Sequence, residues 1–179
     1  MDPLDVRLLR QTLGRFVTGV TVVATRDGDG KMVGLTVNSF TPVSTEHRLL
    51  LWSLSNRSRT LQAFERAHYF VVNVLAEHQV AVSKQMCAPV ENRFAAIDWE
   101  GGTVSGLPII AECAASFECR KLAQRAGGDH QIFLGEVVSF VVQDRKPLLY
   151  FGGGYAVAAP RAERREWASA LAPNPITSR

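Results

Sequence analysis

The 179 residues are sized for one domain, because single cores run to roughly 100–200 residues, and 46% hydrophobic against 21% charged residues excludes a disordered acidic or basic tail protein. The formal net charge of +3 sits mostly at one end: residues 161–179 hold four arginines and two glutamates, and the remainder carries only +1. A nucleic-acid surface needs basic residues gathered on one face, and the body has no such cluster.

Along the chain, residues 5–16 place Leu8, Leu9, Leu13 and Phe16 on one side at helical spacing, with Arg7, Arg10, Gln11 and Arg15 mostly opposite, which predicts an amphipathic helix. Val20–Thr25 is β-branched and runs into the turn residues 26–31, so a strand, a hairpin turn and a returning strand over Met32–Phe40 are expected. Arg48–Leu54 is a continuous apolar run, the mark of a core strand. After the polar residues 55–60, Leu61, Phe64 and Ala67 recur at helical spacing. Tyr69–Ala76 reads as a strand, Glu77–Cys87 as a helix, and residues 88–111 as irregular.

From Glu112 to Arg120 the alternation points Cys113, Ala115, Phe117 and Cys119 inward together. Ile132–Val142 and Leu148–Phe151 complete about seven strands with two or three helices. Strands adjacent in sequence and joined by short turns predict a mainly β fold, an antiparallel barrel with appended helices. Residues 1–160 form the expected domain, and 161–179 a tail in which Arg161–Ala172 suits a short helix. No apolar run reaches about 18 residues and no basic-then-apolar leader opens the chain, so a cytoplasmic protein with free thiols at Cys87, Cys113 and Cys119 is expected.

Familiar site motifs fail on physical grounds. Gly28-Asp29-Gly30 begins like a dinucleotide fingerprint, but its third glycine is misplaced and the chain continues as a strand where a helix must meet the pyrophosphate. There is no phosphate loop, no nucleophile elbow, and no cysteine or histidine spacing suited to a metal. Three polar segments remain. Leu35–Phe40 ends a strand in small hydrogen-bonding side chains, which also suits a plain turn. Ser53–Thr60 offers hydroxyls, a helix start and two guanidiniums, readable equally as an anion site or as an ordinary helix cap. Gly127–His130 sets a loop histidine before a strand, a position as well suited to a solvated side chain.

Taken in order, these segments resemble the flavin reductase family. The resemblance runs through residues 8–155 in seven blocks: Arg15–Val20, Gly34–Phe40, Ser53–Leu61, Val72–Leu75, Asn92–Phe94, Gly128–His130 and Pro147–Tyr150. It implies an FMN-binding split antiparallel β-barrel that forms a homodimer. It implies that Thr36, Val37, Asn38 and Ser39 lie along the flavin ring, and that Ser53, Ser55, Arg57, Ser58 and Thr60 hold the ribityl chain and phosphate. Arg93 and Phe94 match a loop that approaches the flavin, His130 matches a catalytic histidine beside the nicotinamide, and Tyr155 borders that pocket. Gly152-Gly153-Gly154 departs from the family's usual residues before this tyrosine.

The implied activity is hydride transfer from NADH or NADPH to FMN or FAD, with reduced flavin passed to a flavin-dependent monooxygenase. Neither nucleic acid nor a membrane is an expected partner. Two alternatives share the fold: a flavin-bound reductase of another acceptor such as a corrinoid or iron chelate, and a non-catalytic flavin or haem binder.

Overall fold

The computed structural model describes residues 5–90 and 92–159, so the predicted helix at Arg161–Ala172 lies outside the described residues. In chain order the elements are α1 (Val6–Leu13), β1 (Thr18–Gly19), β2 (Thr21–Arg26), β3 (Met32–Val37), β4 (Thr41–Ser44), β5 (Leu49–Ser55), α2 (Leu61–Arg66), β6 (Tyr69–Val74) and α3 (Val80–Cys87). They continue as β7 (Trp99–Gly101), β8 (Pro108–Ile110), β9 (Ala115–Gly127), β10 (His130–Val142), β11 (Leu148–Phe151) and β12 (Gly154–Val157). Among the described residues no helix is long and apolar enough to cross a membrane.

Seven strands pair antiparallel in the order β3-β2-β6-β9-β10-β5-β4. Laid flat, six inter-strand steps would separate the edge strands by about 29 Å. Residues 38–40 alone join β3 to β4, a reach of at most about 15 Å. The sheet is therefore rolled, and the fold is the split antiparallel barrel expected for the family. Inside it Trp52 stacks on Phe133 at 4.7 Å and meets the edges of Phe64 and Phe70 at 4.8 and 5.8 Å. Val23, Val72 and Cys119 pack into the same interior.

The other face of β2 carries Val22 and Ala24 into an outer core with Leu75, Met86, Phe94 and Ile110. Helix α3, the β7–β8 hairpin and β11 cover this face, and β11 lies in a second sheet ordered β1-β11-β12. Asn73, fully buried on β6, ties the covering to the barrel. Its Nδ2 donates to the Pro108 carbonyl at 3.1 Å, and its Oδ1 accepts from the Ile110 N–H at 3.0 Å and the Ser116 hydroxyl at 2.8 Å.

The structure corrects several sequence expectations. Among the described residues twelve strands replace about seven, because residues 88–111 hold the β7–β8 hairpin and the short strands β1, β4 and β12 add to the expected set. Cys113 and Cys119 do not face one core: Cys113 precedes β9 and joins the outer cluster, while Cys119 enters the barrel. The strand predicted over Met32–Phe40 stops at Val37, and β9 and β10 are each 13 residues long. Helix α1 is present, but none of its residues is buried against the chain. Burial raises the Cys113 thiol to about 12 despite its bond with Gln79, and raises Cys119 as well, with Glu118 adding to the effect.

Ser116 and Glu118, on the face expected to be polar and open, are also buried: residues 102–107 fold over Glu118, and Ser116 is bonded to the buried Asn73. Glu118 accepts from the Ser105 hydroxyl at 2.6 Å and from the Ser105 and Val104 N–H groups. Burial pushes its carboxyl up, and these bonds with that of Thr103 more than offset it, leaving it below the ordinary 4.5. Gly102 makes this closure possible, since a Cβ there would lie 2.4 Å from a Glu118 oxygen.

A carboxyl depressed in the folded state stabilises above its unfolded value and loses that contribution as pH falls through the folded value. Glu118→Gln should therefore melt below wild type at pH 7, with the gap closing as pH drops below about 4.5. A gap that stays constant from pH 7 to pH 3 in thermal melts would refute this role.

Candidate functional site

Strand β3 ends the sheet order, so one row of its peptide groups is not used in the ladder. Along that edge three cavities run into one another. The first, of about 280 Å³, is lined by Thr36, Val37, Asn38, Ser83, Cys87 and Tyr155 among others. The second, of about 350 Å³, shares Thr36 and Cys87 with it and adds Ser58, Arg59, Thr60 and Arg93. The third, of about 380 Å³, shares Arg59, Thr60, Pro89 and Arg93 with the second and reaches Met32. Together they form a groove along β3, walled by α3, the loop after it and the segment before α2.

Local hydrogen bonds fix the walls. The Thr36 hydroxyl donates to the Ser83 carbonyl at 2.8 Å, docking α3 on β3. The Tyr155 hydroxyl donates to Ser83 Oγ at 3.0 Å, and its ring sits edge-on to Tyr150 at 5.8 Å. Arg93 donates through Nη1 to the Gly34 carbonyl at 2.8 Å and through Nε to the Ala88 carbonyl at 3.0 Å, and Gln85 holds the Arg93 carbonyl. Phe94 lies against Gly34, where a Cβ would come within 2.9 Å of the ring. The loop thus reaches the strand only because that residue is glycine.

Seven of the sequence-predicted residues line the groove: Thr36, Val37, Asn38, Ser58, Thr60, Arg93 and Tyr155. Ser39 and Ser53 instead bind each other, with the Ser39 hydroxyl donating to the Ser53 carbonyl and accepting from the Ser53 N–H, both at 3.0 Å. Phe94 is buried in the outer core and borders a neighbouring cavity.

His130, Ser55 and Arg57 gather at the tip of the β9–β10 hairpin, where His130 is the first residue of β10 and pairs in register with Ser55. His130 Nδ1 and Asp129 Oδ1 are 2.7 Å apart. That bond and the histidine's charge, with Arg57 contributing further, hold the exposed Asp129 carboxyl below the usual range. The cluster joins the groove through one short segment: the Ser58 N–H donates to the Ser55 carbonyl at 2.9 Å.

The sequence reading missed Arg59, Ser83, Cys87 and Tyr150 as lining residues. Ser83 and Cys87 stand four apart on the predicted helix and share a face, a signal that was available. Arg59 rather than Arg57 lines the groove, and a turn has no periodicity to separate them. Thr60, at the start of α2, makes no side-chain cap bond to the helix. Ser58 serves the turn, accepting from the Thr60 N–H at 3.3 Å.

A flat wall of strand edge and aromatic rings, with arginine and hydroxyls at one end, suits a planar molecule carrying an anionic tail. The comparisons define the class. Residues 13–159 match the family described as flavin reductase like domain, and the chain belongs to that family. It is 40% identical over 154 residues to the stachydrine N-demethylase reductase subunit Stc3 of Rhizobium meliloti, covering 86% of this chain and 66% of that one. It is 39% identical over 149 residues to the FMN reductase (NADH) SmoA of Agrobacterium fabrum, covering 83% and 84%. The solved NADH:FAD oxidoreductase SgcE6 of Streptomyces globisporus, in complex with NAD and FAD fragments, superposes with a TM-score of 0.85 at 35% identity, covering 91% and 98%. The chain spans about half to two thirds of the length of the first curated relatives it matches.

Proposed function

We propose that this protein is an NADH:flavin oxidoreductase that reduces FMN or FAD and supplies the reduced flavin to a flavin-dependent monooxygenase. The observation that carries the reading is the groove on the open edge of β3, with Arg59 at one end and Tyr155 at the other. The donor set fits a flavin. Peptide groups of β3 and the side chain of Asn38 suit the polar edge of the ring. Arg59, Ser58 and Thr60 suit the phosphate. When bound, the flavin accepts hydride at N5 from C4 of the nicotinamide, chemistry that resides in the two nucleotides.

The side chains are accordingly asked for positioning and electrostatics rather than for a nucleophile. Thr36, bonded to Ser83, keeps α3 at the distance that sets the groove's width. Arg93, braced on Gly34 and Ala88, holds the loop wall in place. His130, oriented by Asp129 at the hairpin tip, is assigned the nicotinamide side. We also propose a homodimer, supported by exposed apolar residues on and beside α1, with Leu8 59%, Leu13 64% and Phe16 76% exposed. A sedimentation mass of one chain would remove the dimer. A cytoplasmic setting, where NADH and reduced thiols prevail, accords with the three free cysteines.

The test follows NADH oxidation by the purified protein with graded FMN, FAD and riboflavin. Turnover should rise and saturate with free flavin far above enzyme concentration. His130→Ala should raise the KM for NADH or lower kcat. No oxidation with any flavin would refute the activity, and an unchanged His130→Ala variant would remove that residue from the site.

A further inference from the structure

We propose that the groove is built for a dinucleotide flavin, with the adenine of FAD held in a separate cavity at the far end of β3. This rests on the flavin reading above. Beyond the three joined cavities lies a fourth, of about 460 Å³, lined by Lys31, Met32, Asn92, Phe94 and Trp99. It shares Met32 with the third cavity, so the path from Tyr155 to Trp99 follows β3 from end to end. Five residue steps from Val37 to Met32 span about 17 Å.

The anion-binding side chains stand partway along this path, because Arg59 and Thr60 border both the second and the third cavity. A mononucleotide ends at its phosphate and leaves the stretch from Met32 to Trp99 without an occupant. A dinucleotide continues through a second phosphate and a ribose to a purine.

The end of the path has the character a purine requires. Trp99 meets Phe94 edge-on, with centroids 6.2 Å apart and planes at 71°, and is 38% exposed. Phe94 itself is buried, so the cavity has a fixed apolar wall with an accessible indole beside it. The Asn92 side-chain oxygen accepts from the Phe94 N–H at 3.1 Å, which fixes the amide and leaves its NH2 as the group able to donate to a ring nitrogen. Arg59 and Arg93 flank the passage between the two ends, and a pyrophosphate brings two negative charges to it. Adenine also occurs in the hydride donor, and the test separates the two sources.

Calorimetric titration of wild type, Trp99→Ala and Trp99→Phe with FMN and with FAD provides the test. Wild type should bind FAD at least about 5-fold more tightly than FMN, the lower end expected for one base on one aromatic ring. Trp99→Ala should bring FAD down to the FMN level, and Trp99→Phe should keep most of the preference, while FMN binding certifies that both variants are folded. Equal affinities in wild type would overturn the proposal, as would an equal loss for both flavins in Trp99→Ala. A rise in the KM for NADH with FMN as acceptor in Trp99→Ala would assign the cavity to the hydride donor and overturn it too. Absence of binding by either flavin would instead refute the flavin reading beneath it.

Discussion

Arg59→Ala should weaken FMN binding about ten- to a hundredfold while leaving riboflavin binding unchanged. Riboflavin has the ring and ribityl chain but no phosphate, so the comparison isolates the charge. Charge-assisted hydrogen bonds contribute about 1.5–3 kcal/mol, which at about 1.4 kcal/mol per decade gives that range. Arg59 is exposed and makes no hydrogen bond within the described chain, so its removal should move the melting temperature little.

Arg57→Ala is the companion measurement. Arg57 stands outside the groove and interacts with Asp129, so FMN affinity should change less than about 2-fold. If riboflavin binding falls as far as FMN binding in Arg59→Ala, the residue shapes the wall and does not hold the phosphate. If Arg57→Ala carries the loss, the anion sits at the hairpin tip.

Asn73→Ala should cost about 3–5 kcal/mol of stability, read as a shift of the urea midpoint at constant slope. The amide joins three elements through three bonds, to Pro108 and Ile110 on β8 and to Ser116 on β9. Truncation strands a carbonyl, an N–H and a hydroxyl in a region with no exposure at Asn73 itself. Each stranded group costs about 1–3 kcal/mol, and the relaxation of the small space left behind offsets part of that. Asn73→Asp should also destabilise, because it removes the donor to Pro108 and buries a charge. A midpoint unchanged in Asn73→Ala would mean that the covering hairpin is held by apolar contacts alone.

The barrel interior was legible where strands alternate and hidden where they do not. In β5, the apolar run from Leu49 to Leu54, interrupted only by Ser53, conceals an inward set of Leu50, Trp52 and Leu54 with half-buried residues between them. The second half of β9 escaped notice because residues 121–127 mix polar and apolar side chains without alternation and none of them is buried, whereas β10 was legible from Ile132 to Val142. Glu118 defeated the pattern for another reason. Its burial depends on a loop fourteen residues away, and no local periodicity records which loop will fold over a strand.

The site divides in the same way. Thr36, Val37 and Asn38 sit on a regular strand end that sequence blocks pick out, and all three line the groove. Arg57 and Arg59 are chemically equal in sequence, and only the tertiary position of Asp129 separates them. Helix α1 is the opposite case. Its amphipathic spacing was read correctly, but the described chain offers that face no partner.

The open edge of β3 has a bearing on the solution behaviour of the chain. A strand edge that hydrogen-bonds a ligand presents the same atoms that another strand seeks, and uncovered edges template intermolecular pairing. Here the bond from Arg93 occupies the Gly34 carbonyl midway along that edge, and α3 screens the end near Thr36. The side chain that shapes the groove wall therefore also interrupts the ladder a neighbouring chain would need. The proposed flavin contact and resistance to self-pairing thus fall on one row of peptide groups, and a change that loosens the Arg93 brace should bear on both.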